Sequence, residues 1–192
     1  MTYVIEAPFG ISDAWKLSFV ASVAAQQACW RATGAAIQVM WPNDIVCGSH
    51  KLGGILIETM VPSPSRWTAL IGIGINVGNA EFDSGDEFVL HPTSLKEISI
   101  GGEPTVEDVI GNVSEALGPL IDRCANADGF GSIMSEWRKY LAVGYIQPGL
   151  DDAGDPISGV LEDVDLVTGC GLLRLADGTL ASARPVERGV NA

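Results

Sequence analysis

The chain has 192 residues, 47% of them hydrophobic and 18% charged, enough apolar material for a well-buried core with room for one main domain and a small appendage. A formal net charge of -13 argues against broad attraction to nucleic-acid phosphates or anionic membranes, so neither nucleic acid nor a membrane is expected as a partner. Cys29, Cys47, Cys124 and Cys170 are scattered, with no C-x-x-C pair and no clustered histidines; with neither a signal peptide nor a span-length apolar run, a cytoplasmic chain with reduced thiols is expected.

In chain order, "TYVIEAP" reads as a short strand stopped by Pro8. "ISDAWKLSFVASVAAQQACWRATG" reads as a helix that Ser12 or Asp13 can cap and that Gly34 ends, with Trp15 and Trp30 expected in the core. The next apolar runs, "AIQVMW", "DIVC", "KLGGILIETM" and "WTALIGIGINVG", are short and separated by turn residues, which suggests consecutive antiparallel strands.

After a loop holding Pro92, Thr93 and Ser94, "TVEDVIGNVSEALGPLIDRCA" returns to helical spacing, with Thr105 and Asp108 as a capping pair and Pro119 as a potential kink. A further helix, about 130–141, carries Trp137. From Gly144 onward the texture changes to Gly, Asp and Pro between short alternating strands, and Asp177-Gly178 is a hairpin turn signal. The fold class expected is α+β: a mixed, mostly antiparallel sheet with helices on one face over residues 1–144, then a small SH3-like β-barrel over residues 145–192.

Two stretches are poorly suited to plain strands. In "WPNDIVCGSHKLGGILIE", Pro42 cannot donate to a ladder and Asn43 and Asp44 favour turns, so "WPND" marks a corner. Lys51 follows on the neighbouring strand, close enough to face that corner. Gly53 and Gly54 then leave bare main chain that a ligand or another backbone could approach. A carboxylate, a lysine and bare backbone at one place suit a small-molecule site. In "GIGINVG" the spacing is not the dinucleotide-binding fingerprint; its informative residue is Asn76, an amide among apolar neighbours that needs a partner or a ligand. Taken singly, a tight turn and a solvated strand lysine would explain Asp44 and Lys51 as well.

The ordered set "WPNDIV", "KLGGILIE", "IGIGINVG" and "PTSL", followed by a helix, Trp137 and a β-rich tail, resembles the biotin protein ligases along nearly the whole chain. That resemblance implies the fold of the class II synthetase and biotin ligase group, and a two-step reaction. ATP activates the biotin carboxylate as biotinyl-adenylate, and a lysine of a biotin carboxyl carrier domain then attacks it. By the same resemblance Lys51 matches the lysine that contacts the reacting carboxylate and phosphate. Asp44 matches the aspartate near nucleotide and lysine, and Asn76 the asparagine near the phosphates and Mg2+. Gly53, Gly54 and Ile55 match the strand that lines biotin. Relatives of this kind often pair through the sheet, which leaves a homodimer open.

Two departures qualify the match. The matched region starts downstream of the Gly/Arg-rich loop that family members close over the adenylate, and Met40 stands where the family usually has lysine. The expectation is therefore a poor ligase as this chain alone. A non-catalytic relative that binds biotin, a nucleotide or a carrier domain is the second reading, and a lipoate-type ligase the third.

Overall fold

The computed structural model describes residues 1–63, 66–78 and 90–186, so residues 187–192 of the expected second domain lie outside the described residues. The chain divides into two compact units, Met1–Leu141 and Ala142–Ala192.

The first unit is built on a sheet of strands β1 (Thr2–Glu6), β2 (Ile37–Met40), β3 (Asp44–Cys47), β4 (His50–Ser63) and β5 (Arg66–Ile75), in the order β1-β5-β4-β3-β2. All of these neighbours pair antiparallel, as the succession of short runs suggested. A two-residue strand, β6 (His91–Pro92), runs parallel to β4 beside His50 and Lys51.

Helices α1 (Lys16–Thr33), α2 (Leu95–Ile98), α3 (Val106–Cys124) and α4 (Gly129–Tyr140) complete this unit. Leu17, Val20, Ala24 and Ala28 of α1 are fully buried, because that helix packs against β2 to β5 and also against α3 and α4. A helix held from several sides is apolar over most of its circumference. The other face of the sheet carries the exposed side chains Val4, Leu56 and Met60.

The start of α1 differs from expectation. Ile11–Asp13 forms a 3-10 turn, the helix proper begins at Lys16, and neither Ser12 nor Asp13 caps it; Asp13 instead pairs with Lys16 at 2.9 Å. Its end is as expected, with Gly34 in the left-handed conformation at φ 69°. Thr105 and Asp108 form the expected capping box on α3, and that helix runs unbroken through Pro119 on the strength of its buried face of Val113, Ala116, Leu117 and Leu120. Trp137 is buried, whereas Trp30, expected in the core, is 55% exposed at the end of α1.

The second unit is a four-stranded antiparallel sheet of β7 (Ile146–Leu150), β8 (Pro156–Val164), β9 (Gly171–Arg174) and β10 (Leu180–Ala183), in the order β10-β9-β8-β7. Asp177-Gly178 makes the turn between β9 and β10, with Gly178 at φ 85°. The sheet is open: among the described residues one isolated bridge, between Leu150 and Arg184, links its two edges, and the expected closure into an SH3-like barrel is not shown.

Candidate functional site

The corner "WPND" links β2 to β3 through a cis Trp41-Pro42 bond. Asn43 locks this corner onto β4: its side-chain Nδ2 donates to the Ile55 carbonyl at 2.7 Å, and its own carbonyl accepts from the Ile55 N–H at 2.8 Å. Asn43 is thus a positioning residue that turn chemistry alone did not reveal. Its effect is to bring Asp44, directly after it, level with Gly54 on β4.

The register then slips by one residue. Ile45 pairs with Gly53 and Val46 with Lys51, so Leu52 is an extra residue in β4. In a regular strand, residues three apart point to opposite faces; one bulged residue between them puts them on the same face. Lys51 and Gly54 therefore converge. A Cβ built on Gly54 would lie 3.3 Å from Asp44 Oδ1 and 4.0 Å from Lys51 Cε.

Lys51 Nζ donates to Asp44 Oδ1 at 2.6 Å, with the side chains 32% and 18% exposed. The pair is neutral as a whole and open to solvent on one side. A row of register partners runs through it across four strands: Met40 with Asp44, Asp44 with Gly54, and Gly54 with Gly74. The row offers a buried apolar side chain, a carboxylate bridged to an ammonium, then two bare positions. A Cβ on Gly74 would have 3.9 Å of clearance from its nearest neighbour, the Gly54 carbonyl oxygen, so the fold does not demand glycine there.

Gly53 has a different reason to be glycine. A Cβ there would run into the Gly74 carbonyl oxygen and lie 2.8 Å from Ile75 Cδ1. The backbone of β5 occupies the space that a side chain would need. Ile55 is likewise turned away, its side chain buried at 3% exposure. Of the residues singled out from the sequence, Asp44, Lys51 and Gly54 come together, while Gly53 and Ile55 serve the packing of the strand beneath them.

Asn76 stands just beyond the end of β5. Its N–H donates to the Leu52 carbonyl at 2.9 Å and its Nδ2 to the Thr93 carbonyl at 2.9 Å. Thr93 in turn donates its N–H to the Lys51 carbonyl at 2.9 Å, so the "PTSL" segment ties Asn76 and Lys51 together. Among the described residues no hydrogen bond reaches Asn76 Oδ1, which leaves a neutral oxygen acceptor beside the site.

No group of three or more His, Cys, Asp or Glu side chains suited to a metal ion occurs among the described residues. The Asn76 amide oxygen fits a magnesium ion held mainly by phosphates and water, and does not make a resident protein cage. The thiols stand apart from this chemistry: burial pushes Cys29 up to about 12 and Cys124 up to about 11, in keeping with idle sulfur in a core. No helix among the described residues is long and apolar enough to cross a membrane.

No family model matches the chain. Over 104 residues it is 34% identical to the biotin--[acetyl-CoA-carboxylase] ligase of Paracoccus denitrificans, a match covering 53% of this chain and 42% of that protein. It is 28% identical over 123 residues to the bifunctional ligase/repressor BirA of Bacillus subtilis, covering 64% of this chain and 32% of the relative. The chain spans less than half the length of these curated relatives. Among solved structures, the biotin protein ligase from Aquifex aeolicus in complex with biotin and ATP matches with a TM-score of 0.72 and 20% identity, over 96% of this chain and 75% of that one. A biotin protein ligase-like protein of unknown function from Silicibacter matches with a TM-score of 0.72 and 18% identity, over 95% of this chain and 76% of that one. At these identities the structural likeness establishes the fold.

Proposed function

We propose that this chain, a relative of the biotin protein ligases in sequence and in fold, activates biotin with ATP to biotinyl-adenylate and transfers biotin to a lysine of a biotin carboxyl carrier domain, slowly when it acts alone. The observation that carries the reading is the bridged Lys51–Asp44 pair beside the bare Gly54–Gly74 step. The first unit is then the ligase-like domain. The second is the SH3-like domain of the family, a reading supported by the Leu150–Arg184 bridge between its edge strands.

In the first step a carboxylate oxygen of biotin attacks the α-phosphorus of ATP and pyrophosphate leaves. Two anions must meet, so a cation at the meeting point lowers the barrier by offsetting charge where it develops. Lys51 is that cation, and Asp44 holds its ammonium over the strand. The bare backbone of Gly54 and Gly74 lets a fused ring system lie flat against the sheet. Asn76 Oδ1 would help hold the Mg2+ that accompanies the nucleotide, an ion that would supply charge neutralisation of the phosphates. In the second step the carrier lysine amine attacks the acyl carbon and AMP leaves.

Biotin-dependent exchange between ATP and pyrophosphate, followed by transfer to a carrier domain, tests the reading. Exchange that needs both biotin and Lys51 supports it, and absence of exchange with purified chain under saturating substrates removes it.

One observation favours the second reading, a relative that binds biotin, nucleotide or a carrier domain without turning over. Met40, 7% exposed, stands in the row next to Asp44, so the first two positions of the row bring no positive charge of their own. Under that reading calorimetry finds biotin or ATP bound in the absence of exchange. Location in the cytoplasm and pairing of two copies through the sheet belong to the proposal on the same footing.

A further inference from the structure

A carboxylate outside the site clamps the segment that links Lys51 to Asn76. Glu97 lies in the first turn of α2, and its Oε2 accepts both the Ser94 N–H at 3.0 Å and the Thr93 hydroxyl at 2.9 Å. Ser94 Oγ accepts the Glu97 N–H in return, at 3.4 Å. A capping box needs only the reciprocal pair between cap residue and third helical residue. Here the carboxylate takes one donor more, from the residue before the cap.

α2 is four residues long, too short to be stabilised as a helix by its own cap. The clamp holds something else in place: Thr93, Ser94 and Leu95, all buried. Two of them, Thr93 and Leu95, reach Lys51 of β4 and Asn76 just past β5. The Thr93 N–H donates to the Lys51 carbonyl, the Thr93 carbonyl accepts from Asn76 Nδ2, and the Leu95 N–H donates to the Asn76 carbonyl at 2.8 Å. The bond to Thr93 decides which end of the Asn76 amide faces outward. With Nδ2 bound to Thr93, Oδ1 is the end left without a hydrogen-bond partner among the described residues.

We infer that Glu97 is a positioning residue: acting through Thr93, it orients the Asn76 amide so that its oxygen faces the nucleotide side of the site. The link from Asn76 to nucleotide rests on the proposed function; the link from Glu97 to Asn76 rests on the hydrogen bonds alone. Glu97 itself is exposed and touches neither Lys51 nor Asn76, so it shapes the site without lining it.

The two links are tested in one set of variants of the full chain, Glu97→Ala and Glu97→Gln. Nuclear magnetic resonance reads hydrogen exchange of the Asn76 side-chain amide, and calorimetry reads affinity for ATP and for biotin separately. Glu97→Ala is expected to speed that exchange and weaken ATP binding, each about tenfold, with biotin affinity held within about twofold. Glu97→Gln, which keeps an oxygen acceptor, is expected to restore most of both. Unchanged Asn76 exchange in Glu97→Ala overturns the inference. So does an equal loss of both ligands with a lowered melting temperature that Gln does not rescue, which would make Glu97 a helix cap and no more. If the parent chain binds neither ligand, the proposed function falls, and the Asn76 exchange still decides the role of Glu97.

Discussion

Gly53 lies so close under the carbonyl oxygen of Gly74 that a single methyl group has no room between β4 and β5. Glycines on the two neighbouring strands thus have separate causes, and substitution separates Gly53 from Gly74. Gly53→Ala forces the two strands apart and is expected to cost about 1–3 kcal/mol of stability, as overpacking a closed site does. Gly74→Ala has space for its methyl and is expected to melt within a few degrees of the parent while weakening biotin binding. Thermal unfolding and calorimetry on the two variants check this, and a Gly74→Ala chain that binds biotin like the parent would place the ligand elsewhere.

The Lys51–Asp44 pair is partly open to solvent, so its worth to the fold is small. Exposed pairs contribute about 0–1 kcal/mol, and Lys51→Ala is expected to change stability by no more than that. Its effect on chemistry is expected to be far larger, with biotin-dependent pyrophosphate exchange reduced by about a hundredfold or more, since the charge acts where the barrier is highest. Urea unfolding together with the exchange assay makes the comparison. A large stability loss with exchange preserved would make Lys51 a structural residue.

In the second unit two turn aspartates are held below the ordinary aspartate range. Asp165 accepts N–H bonds from Val167 and Thr168, and Asp177 accepts first from the Thr179 hydroxyl and then from its N–H. A carboxyl with a depressed folded value stabilises the folded chain above its unfolded value, and that contribution is lost as pH falls through the folded one. Both turns are expected to loosen only in acid, below the usual aspartate titration. Thr179→Val should raise the midpoint of Asp177 and leave Asp165 where it was. Carboxyl titration by nuclear magnetic resonance reads both, and midpoints at the ordinary aspartate value would refute the account.

What the sequence makes legible here is mainly local. The Gly34 stop, the Thr105–Asp108 box and the Asp177-Gly178 turn each depend on a few consecutive residues, and all three stand as read. The antiparallel succession from β2 to β5 followed because short connections let sequential strands pair as neighbours, whereas the pairing of β1 with β5 was not legible. What stayed hidden depends on pairing between distant residues. The extra residue Leu52, which turns Lys51 and Gly54 to one face, becomes visible only once β3 is laid against β4. The bond from Asn76 to Thr93 needs β6 seated beside β4. Trp30 misled because α1 is apolar on nearly all sides, so periodicity could not tell its one exposed edge from its core.

Met40 offers the sharpest test of how much charge the site requires. It is buried, and its register partner is Asp44, whose carboxylate already accepts from Lys51. Met40→Lys would bring a second ammonium to the same carboxylate. Two lysines cannot both be neutralised by one aspartate, so one positive charge remains over the row, facing the side where phosphates would lie. Burial of that charge is expected to cost about 1–3 kcal/mol of stability, while Met40→Leu, which keeps volume and polarity, is expected to cost less than about 1.5 kcal/mol. In return, ATP should bind more tightly by up to about tenfold at low salt, and the gain should shrink at high salt because the site is partly open to solvent. Asp44→Asn combined with Met40→Lys should be less stable than either change alone, since the second lysine then loses its counter-charge. Melting curves and calorimetry at two salt concentrations measure all of this. If Met40→Lys tightens ATP equally at both salt levels, or not at all, the row from Met40 to Gly74 is not the nucleotide-facing side of the site.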